Sequence, residues 1–409
     1  MSSSLVAEPG PSEATSIGGP NDSLALMLGG GGARGAYQAG VLHGIARRFP
    51  NLRFPIMTGI SAGAVNTLHL ASQETPPGHA TQDLIDLWLK LSSEQVYEAH
   101  TLPLLRNVVR WGNRLLSGGS EIGPEPMRGM IDTAPLRKFL NRNLISAEDG
   151  TLPGIGRNIA SGSLRAVALS ATSYATGHSV TWIEGQNVEL WQRPQRRSEA
   201  THLTVEHVMA SSALPMLFPA VRVGDQWFGD GGIRLTSPLS PPLHLGASRI
   251  ITISTRHRPS WAQLSSAASR RYPPPAQVLG VLYNSVFLDL IDEDILRLEK
   301  VNQLLADLPA DKRESMRIVD ILVIRPSQDL HTLARELEPR LPSFLRYLTR
   351  GLGTRQASNT EIVSLIMFQS DYLRRLVELG EADADAQAER IDEFLARPAL
   401  INTKAAASQ

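Results

Sequence analysis

The pattern of apolar positions begins with a short buried strand followed by a helix. The apolar run Leu24–Leu28 ends in consecutive glycines, as is typical of a strand buried in a parallel sheet. After these glycines, Tyr37, Val41 and Ile45 recur at four-residue spacing, which places them on one face of a helix. The stretch Phe54–Gly59 leads into a second helical pattern in the same way. This repeated strand–turn–helix order predicts an α/β fold with a mainly parallel sheet.

The rest of the chain alternates between helical and strand patterns. From about residue 80 to 144 the pattern is helical, and we interpret this segment as an insertion able to cover a site. A long apolar helix is predicted near Val278–Leu308. The further predicted strands are Leu164–Ala171, His178–Ile183, Val221–Val223, Gln226–Phe228, Arg249–Ser254 and Ile318–Ile324.

Composition divides the chain into regions. Residues 1–22 are rich in Ser, Pro and Gly without periodicity, which is typical of a disordered tail. We expect a catalytic domain over 24–256, a linker over 257–275, a mainly helical C-terminal region over 276–400 and a polar tail over 401–409.

Charge and cysteine content exclude several classes of function. The 409 residues carry 40 basic and 40 acidic side chains, so no net charge attracts nucleic acid. The absence of cysteine excludes disulfides and a thiol nucleophile. Neither a secretion signal nor an apolar run of about 18 residues is visible. We therefore expect a cytoplasmic protein whose contact with membranes is peripheral and reversible.

A glycine-rich loop, Gly29–Gly35, lies between the first predicted strand and helix. Such a loop exposes amide N–H groups at a helix N-terminus, where they can bind a dinucleotide, a nucleotide phosphate or an oxyanion. A Walker loop requires Gly-Lys-Ser/Thr after the glycines, and Ala36-Tyr37 does not match this. A dinucleotide site requires an acidic residue about 20 residues later. Ser23–Gln73 contains none, so we expect no cofactor.

The second motif is Gly59-Ile60-Ser61-Ala62-Gly63, again between a strand and a helix. Small flanking residues allow the cramped turn of a nucleophile elbow, although Ser61 could instead act only as a helix N-cap. A serine needs a base to accept its proton. Among the histidines, His257 follows a late strand and is suitably placed for a triad, whereas His207 lies within a predicted helix.

The third motif is Asp230-Gly231-Gly232, at the end of a predicted hairpin. Glycines beside a carboxylate let it approach another segment of backbone closely. The same residues also form simple Asx turns, as we expect for Gly224-Asp225.

The three motifs together are more specific than any one of them. Their order resembles that of the patatin-like phospholipase family of the bacterial type, over about Leu24–Ser254. The segments Ala210–Pro215 and Phe218-Pro219 also resemble the sequence that precedes the family's Asp motif. The chain departs from many members at Gly29, where they carry an aspartate.

The resemblance implies a three-layer α/β/α fold with a mainly parallel central sheet and a helical C-terminal extension. It also implies that Ser61 is the nucleophile and Asp230 its base. An acting base must be ionised, so we expect a polar, hydrogen-bonded site around Asp230. Oxyanion amides would come from Gly30, Gly31 and Gly32, with Arg34 supporting the loop or a substrate phosphate. The implied supporting positions are Gly35, Gly59, Gly63, Gly231 and Gly232.

The expected function is hydrolysis of fatty-acyl esters of phospholipids or lysophospholipids. The alternatives are a soluble carboxylesterase or thioesterase that uses the same dyad, and a non-catalytic lipid-binding regulator. No His, Asp and Glu residues show metal-ligand spacing in the sequence, so no metal is expected. The sequence predicts no nucleic-acid partner and does not determine the oligomeric state.

Overall fold

The sheet lies at the centre of the molecule. A computed structural model describes residues 23–97, 131–144, 146–258, 272–287, 289–313, 316–342, 346 and 361–397. Its strands are β1 (Leu24–Leu28), β2 (Ile56–Ile60), β3 (Ala166–Ser173), β4 (Ser179–Gly185), β5 (Gln192–Arg193), β6 (Arg196–Ala200), β7 (Val221–Val223), β8 (Gln226–Asp230), β9 (Arg249–Ile253) and β10 (Asp320–Ile324).

Helices surround the sheet. They are α1 (Gly35–Arg48), α2 (Ala62–Ser72), α3 (Pro77–Lys90), α4 (Ser93–Val96), α5 (Ala134–Asn143), α6 (Pro153–Ala160), α7 (Val205–Ser211), α8 (Ser240–His244), α9 (Pro275–Phe287), α10 (Leu290–Ala306), α11 (Leu330–Leu337), α12 (Glu361–Ile366), α13 (Ser370–Ala386) and α14 (Ala388–Ala396). Short 3₁₀ turns occur at Gly32–Arg34, Gly231–Ile233, Ala310–Lys312 and Glu338–Arg340.

The strand order is β10-β9-β1-β2-β3-β4-β6-β5, and β8 pairs with both β3 and β7. The strands from β10 to β3 are parallel, whereas β4 and β8 run antiparallel to β3. In a parallel sheet the carboxyl ends of neighbouring strands meet at one edge. The loops after β1 and β2, which carry the first two motifs, therefore lie side by side.

Side chains alternate across β1 between two apolar clusters. Leu24, Leu26 and Leu28 pack with the layer that contains α1, α2 and α13. Ala25 and Met27 pack on the opposite face with residues of α8 and α10. Helices thus cover both faces of the sheet, and the predicted three-layer α/β/α fold with a mainly parallel sheet is confirmed.

Two predicted elements differ in the structure. The long helix predicted near Val278–Leu308 is two helices, α9 and α10. The sequence pattern also missed β5 and β6, because Gln-Arg and Arg-Arg-Ser-Glu-Ala lack the apolar alternation of a half-buried strand. The predicted tails, residues 98–130 of the insertion and most of the predicted linker lie outside the described residues.

The predicted C-terminal region belongs to the same packed layers. It contributes β10 to the edge of the central sheet and α13 to the helical layer, where α13 packs along α1. The predicted domain boundaries themselves stay a prediction. Among the described residues, no helix combines the length and the apolar character needed to cross a bilayer.

The α1–α13 contact depends on glycine, because the two backbones approach closely. A Cβ added at Gly40 would lie 2.1 Å from the carbonyl oxygen of Val377. We expect Gly40→Ala to lower the free energy of unfolding by about 1–3 kcal/mol, since the clash is with backbone. Gly156→Ala in α6 is the matched control, because nothing lies within 4 Å of its added Cβ.

Denaturant unfolding of both variants tests this contact. The control should be neutral or up to about 1 kcal/mol more stable, as alanine favours a helix over glycine. A Gly40→Ala variant as stable as the control would contradict the close approach.

Candidate active site

Ser61 lies at a strained turn between β2 and α2. Its φ of 55° falls in the left-handed region, which non-glycine residues rarely adopt. The neighbouring glycines allow the turn: a Cβ at Gly63 would lie 2.2 Å from the carbonyl oxygen of Leu28, and one at Gly59 would lie 2.5 Å from Thr67 Oγ1. The Ser61 side chain makes no capping hydrogen bond to α2. The structure therefore does not support the alternative in which Ser61 acts only as a helix N-cap.

Two serines of the segment Ala210–Pro215 hold the backbone of Ser61. The Ser61 amide donates to Ser211 Oγ at 2.9 Å, and Ser212 Oγ donates to the Ser61 carbonyl at 2.9 Å. Ser211 Oγ in turn donates to the Ser170 carbonyl at 2.7 Å. Sequence reasoning noted the segment only as part of a resemblance and missed these roles. The sequence feature that could have indicated these roles is the pair of adjacent serines before Pro215.

Asp230 ends β8 and is completely buried. Its Oδ1 accepts a hydrogen bond from the Gly232 amide at 2.8 Å, so the carboxyl does form the local turn that its sequence allows. Oδ2 has no full hydrogen bond, but the Ser61 hydroxyl lies close enough to lower the pKa of the carboxyl. Ala213 holds the strand end by accepting from the Asp230 amide at 2.9 Å. The structure thus brings Ser61 and Asp230 together from positions far apart in sequence.

Burial dominates the acidity of this carboxyl. Removal from water raises the pKa of Asp230 to about 7, against the opposing effects of the Ser61 hydroxyl and the Gly232 amide. The expectation of a polar, hydrogen-bonded site around Asp230 holds for the hydrogen bond to Oδ1, but burial makes the surroundings of the carboxyl less polar than expected. The carboxyl is hydrogen-bonded on one oxygen and otherwise shielded from water.

The glycine loop lies directly beside Ser61. A Cβ at Gly30 would lie 3.0 Å from Ser61 Cβ and 3.5 Å from its Oγ. Gly32 has a φ of 54°, and a Cβ there would lie 2.1 Å from the Leu365 carbonyl, so only glycine fits this turn. The amide groups of Gly30, Gly31 and Gly32 donate to no other described residue. They are available to an anion beside Ser61.

Arg34 points into the protein interior. Its Nε donates to Ser364 Oγ at 2.9 Å, and its guanidinium forms a buried ion pair with Glu361. A third contact, 3.4 Å long, reaches the Thr255 carbonyl. Of the two roles that the sequence left open, these contacts favour support of the loop over contact with a substrate phosphate.

Three potential metal ligands meet beside this ion pair. Asp329, His331 and Glu361 each place one ligand atom within 4.8 Å of the others. The fold brings them together although their sequence spacing gave no such signal. The Arg34 guanidinium already supplies the positive charge that Glu361 requires in a buried position.

The remaining predicted glycines make close contacts. A Cβ at Gly35 would lie 2.5 Å from Trp88 Cζ2, one at Gly231 would lie 2.2 Å from the Ser170 carbonyl, and one at Gly232 would lie 2.4 Å from Phe287 Cδ1. The absence of a side chain at these three positions therefore lets the neighbouring residues pack closely around the site.

The two histidines weighed in the sequence lie in other environments. His257 Nδ1 is 2.9 Å from the Pro326 carbonyl, and its ring makes no hydrogen bond to Ser61 or Asp230. His207 bonds Thr204 at 2.8 Å in a capping box, and burial lowers its pKa to about 4. Neither contact suits a general base for Ser61.

Two cavities border the dyad. One, of about 540 Å³, is lined by Ser61 and by apolar side chains of α2, α3 and α5, among them Val65, Leu87 and Leu140. The other, of about 470 Å³, lies beside Asp230, Gly30 and Phe287. A larger cavity of about 610 Å³ adjoins the segments before β2 and β3, at the opposite end of the sheet from Ser61.

A family model for patatin-like phospholipases matches residues 26–243, more than half of the chain. The chain belongs to the patatin-like phospholipase family. Membership of this family supports, at family level, a lipid acyl hydrolase. The match contains all three motifs and both members of the Ser61–Asp230 pair.

Solved structures show a remote likeness. VipD from Legionella pneumophila is similar at 11% identity and a TM-score of 0.32, over 88% of this chain and 67% of that one. Human GIVD cytosolic phospholipase A2 is similar at 10% identity and a TM-score of 0.45, over 92% of this chain and 60% of that one. Its complex with methyl gamma-linolenyl fluorophosphonate is similar at 11% identity and a TM-score of 0.44, over 92% of this chain and 58% of that one. The chain thus spans 58–67% of these neighbours. No curated protein matches the chain.

The raised pKa of Asp230 has a consequence for stability. A carboxyl that is more basic when folded contributes stability below its unfolded pKa, and this contribution is lost as pH rises through about 7. Asp230→Asn removes the ionisation. Its free energy of unfolding, relative to wild type, should therefore rise by about 3 kcal/mol between pH 5 and pH 8.

Urea unfolding of both proteins across this pH range measures the difference. Asp225→Asn serves as control, because the Asp225 side chain is fully exposed. A pH-independent difference for Asp230→Asn would show that the carboxyl is not desolvated.

Proposed function

We propose that the chain hydrolyses fatty-acyl esters of lysophospholipids or phospholipids through a Ser61–Asp230 dyad. One observation carries the proposal. A strained serine lies beside a buried carboxyl and unengaged loop amides, at the wall of an apolar cavity. Membership of the patatin-like phospholipase family supports the same class of reaction.

In the acylation step, Ser61 Oγ attacks the ester carbonyl and its proton passes to the Asp230 carboxylate. The negative charge that develops on the carbonyl oxygen is stabilised by amides of Gly30, Gly31 and Gly32. Each such donor contributes about 3–4 kcal/mol to transition-state stabilisation in well-formed sites. The Ser61 amide is already bonded to Ser211, which leaves this role to the loop. Asp230 then gives the proton to the departing alcohol, and an acyl-serine remains.

In the deacylation step, water attacks the acyl-serine and Asp230 again accepts a proton. Return of that proton to Ser61 Oγ releases the fatty acid. A base with a pKa of about 7 is well matched to neutral pH, because it is half ionised and still basic enough to accept a proton. The Gly232 amide on Oδ1 leaves the other oxygen for Ser61.

The cavity beside Ser61 supports an acyl chain as the bound part of the substrate. Its lining combines small residues at the dyad, Gly32 and Ala62, with apolar side chains farther in. An apolar lining of this kind favours the long acyl chain of a lipid over the small acyl group of a soluble esterase substrate.

Fluorophosphonate labelling and turnover test the dyad. Ser61→Ala should abolish labelling, and Ser61→Ala and Asp230→Asn should each lower kcat at least a thousandfold, or about 4 kcal/mol. The double variant should be barely slower, because the two groups act as one unit. Wild-type kcat/KM should fall tenfold per pH unit below about pH 7, as Asp230 becomes protonated.

His257→Ala is the matched control and should keep turnover within tenfold of wild type. An inactive His257→Ala together with an active, folded Asp230→Asn would replace the dyad with a histidine triad. Absence of both labelling and turnover in the wild type would favour a non-catalytic lipid-binding protein.

Val65 offers a test of the acyl cavity. It lies one helical turn beyond Ser61 on α2, about 6 Å along the helix axis. Val65→Phe should narrow the cavity there, and the ratio of kcat/KM for decanoyl over acetyl esters should fall at least tenfold. Each methylene that loses its apolar contact contributes about 0.8 kcal/mol.

Ala46→Val, which lies at the remote cavity, is the control and should leave this ratio unchanged. Equal loss on both esters in Val65→Phe would instead indicate general damage to the site.

A further inference from the structure

Helix α9 contains no charged residue in its 13 positions and yet faces water. Val278, Val281 and Leu282 are 47%, 59% and 55% exposed. A helix on the surface of a protein ordinarily carries charged or polar side chains on its outward face. An uncharged helix with an exposed apolar face is therefore a candidate contact surface.

Three further large apolar side chains are exposed next to α9, on the turn after β3, on the segment after α7 and on β8. Tyr174, Met216 and Trp227 are 50%, 62% and 49% exposed. Hydrogen bonds connect these segments: the Tyr174 amide donates to the Trp227 carbonyl at 2.9 Å, and Tyr283 Oη of α9 donates to the Pro215 carbonyl at 3.0 Å. We define the apolar rim as Tyr174, Met216, Trp227, Val278, Val281 and Leu282.

The apolar rim lies beside the Asp230 end of the dyad. A Cβ at Gly229, the residue before Asp230, would lie 2.2 Å from Tyr174 Oη. At the end of α9, Phe287 lies against Gly232 and lines the cavity beside Asp230. The phenol of Tyr283 is close enough to Asp230 for that carboxyl to help raise its pKa, although burial is the larger cause. Both sides of Asp230 are therefore flanked by rim elements.

Two arginines near the rim are engaged within the protein. Arg222 pairs with Asp225 at 3.4 Å on the hairpin that carries Trp227, and Arg234 donates to the Gly177 carbonyl at 2.9 Å. The six residues of the rim themselves carry no charge. Tyrosine and tryptophan suit the boundary between headgroups and acyl chains, because one end of each ring system is polar.

We propose that the apolar rim inserts into the surface of a lipid bilayer and delivers substrate to Ser61. This inference rests on the proposed function, because a lipid substrate resides in that surface. Tyr174 and Trp227 in the rim, and its position beside Asp230, favour a lipid surface, in which the ester resides, over a protein partner. Insertion is driven by apolar area, so zwitterionic lipid suffices.

Flotation with phosphatidylcholine vesicles tests the rim without catalysis, using the full chain in a Ser61→Ala background. Val281→Ser/Leu282→Ser should lower the vesicle partition coefficient at least tenfold, and binding by the parent should be unchanged between 0.1 and 1 M salt. Leu296→Ser/Leu304→Ser is the matched control. These α10 residues are 50% and 67% exposed, and Asn302 between them bonds Val319 before β10, at the opposite end of the sheet from Ser61.

Turnover separates the rim from the dyad. With Ser61 present, the rim variant should hydrolyse a dissolved acetyl ester within twofold of wild type and vesicle lipid at least tenfold more slowly. Trp227→Ser should behave in the same way. Because Trp227 is not part of α9, agreement between the two variants would show that the effect does not come from misfolding of α9. If the wild type does not hydrolyse the dissolved ester, the proposed dyad is refuted, but the flotation result still tests the apolar rim.

Unchanged flotation of both rim variants would overturn the proposal. Binding that is lost in 1 M salt would also overturn it, because it would show attraction by charge. A rim variant that alters the sedimentation coefficient but not flotation would assign the surface to a contact between copies of the chain.

Discussion

A guanidinium without access to water must be paired, and the structure around the dyad depends on how Arg34 meets this requirement. Its partner Glu361 begins α12, and the same helix places the Leu365 carbonyl against Gly32. The pair therefore fixes the end of the glycine loop to a helix from the far end of the chain. Since α12 leads into α13 and α13 packs along α1, the support extends to the helix that follows the loop.

Much of the site could be predicted because its parts are local in sequence. The glycine loop and the Ser61 elbow each follow a strand directly, so apolar pattern and small residues were sufficient to find them. Family membership confirms the fold that these motifs indicated. The pairing of Asp230 with Ser61 depended on resemblance, since nothing in the spacing of the two residues requires it. The predicted role of each residue, and the expected cytoplasmic location, stay predictions.

Properties that depend on distant residues could not be predicted. Three elements set the environment of Asp230: strand β3, helix α9 and the segment that follows α7. They close over the carboxyl and exclude water. The burial of this carboxylate appears only when these layers are assembled. The apolar pattern near Val278–Leu308 likewise predicted one long helix. It did not distinguish the outward residues of α9 from the buried Ile291, Ile295 and Leu298 of α10.

The link between Arg34 and Glu361 also has a consequence for biosynthesis. The two residues are 327 positions apart, so at about 5–20 residues per second a ribosome completes the pair roughly 15–65 s after making Arg34. During that interval the elbow and the first strands can form, but the loop beside Ser61 lacks its buried counter-charge. A nascent chain therefore completes the support of this loop only after residue 361 has been made. The order of translation thereby delays the final shape of the glycine loop until the region of α12 has been synthesised.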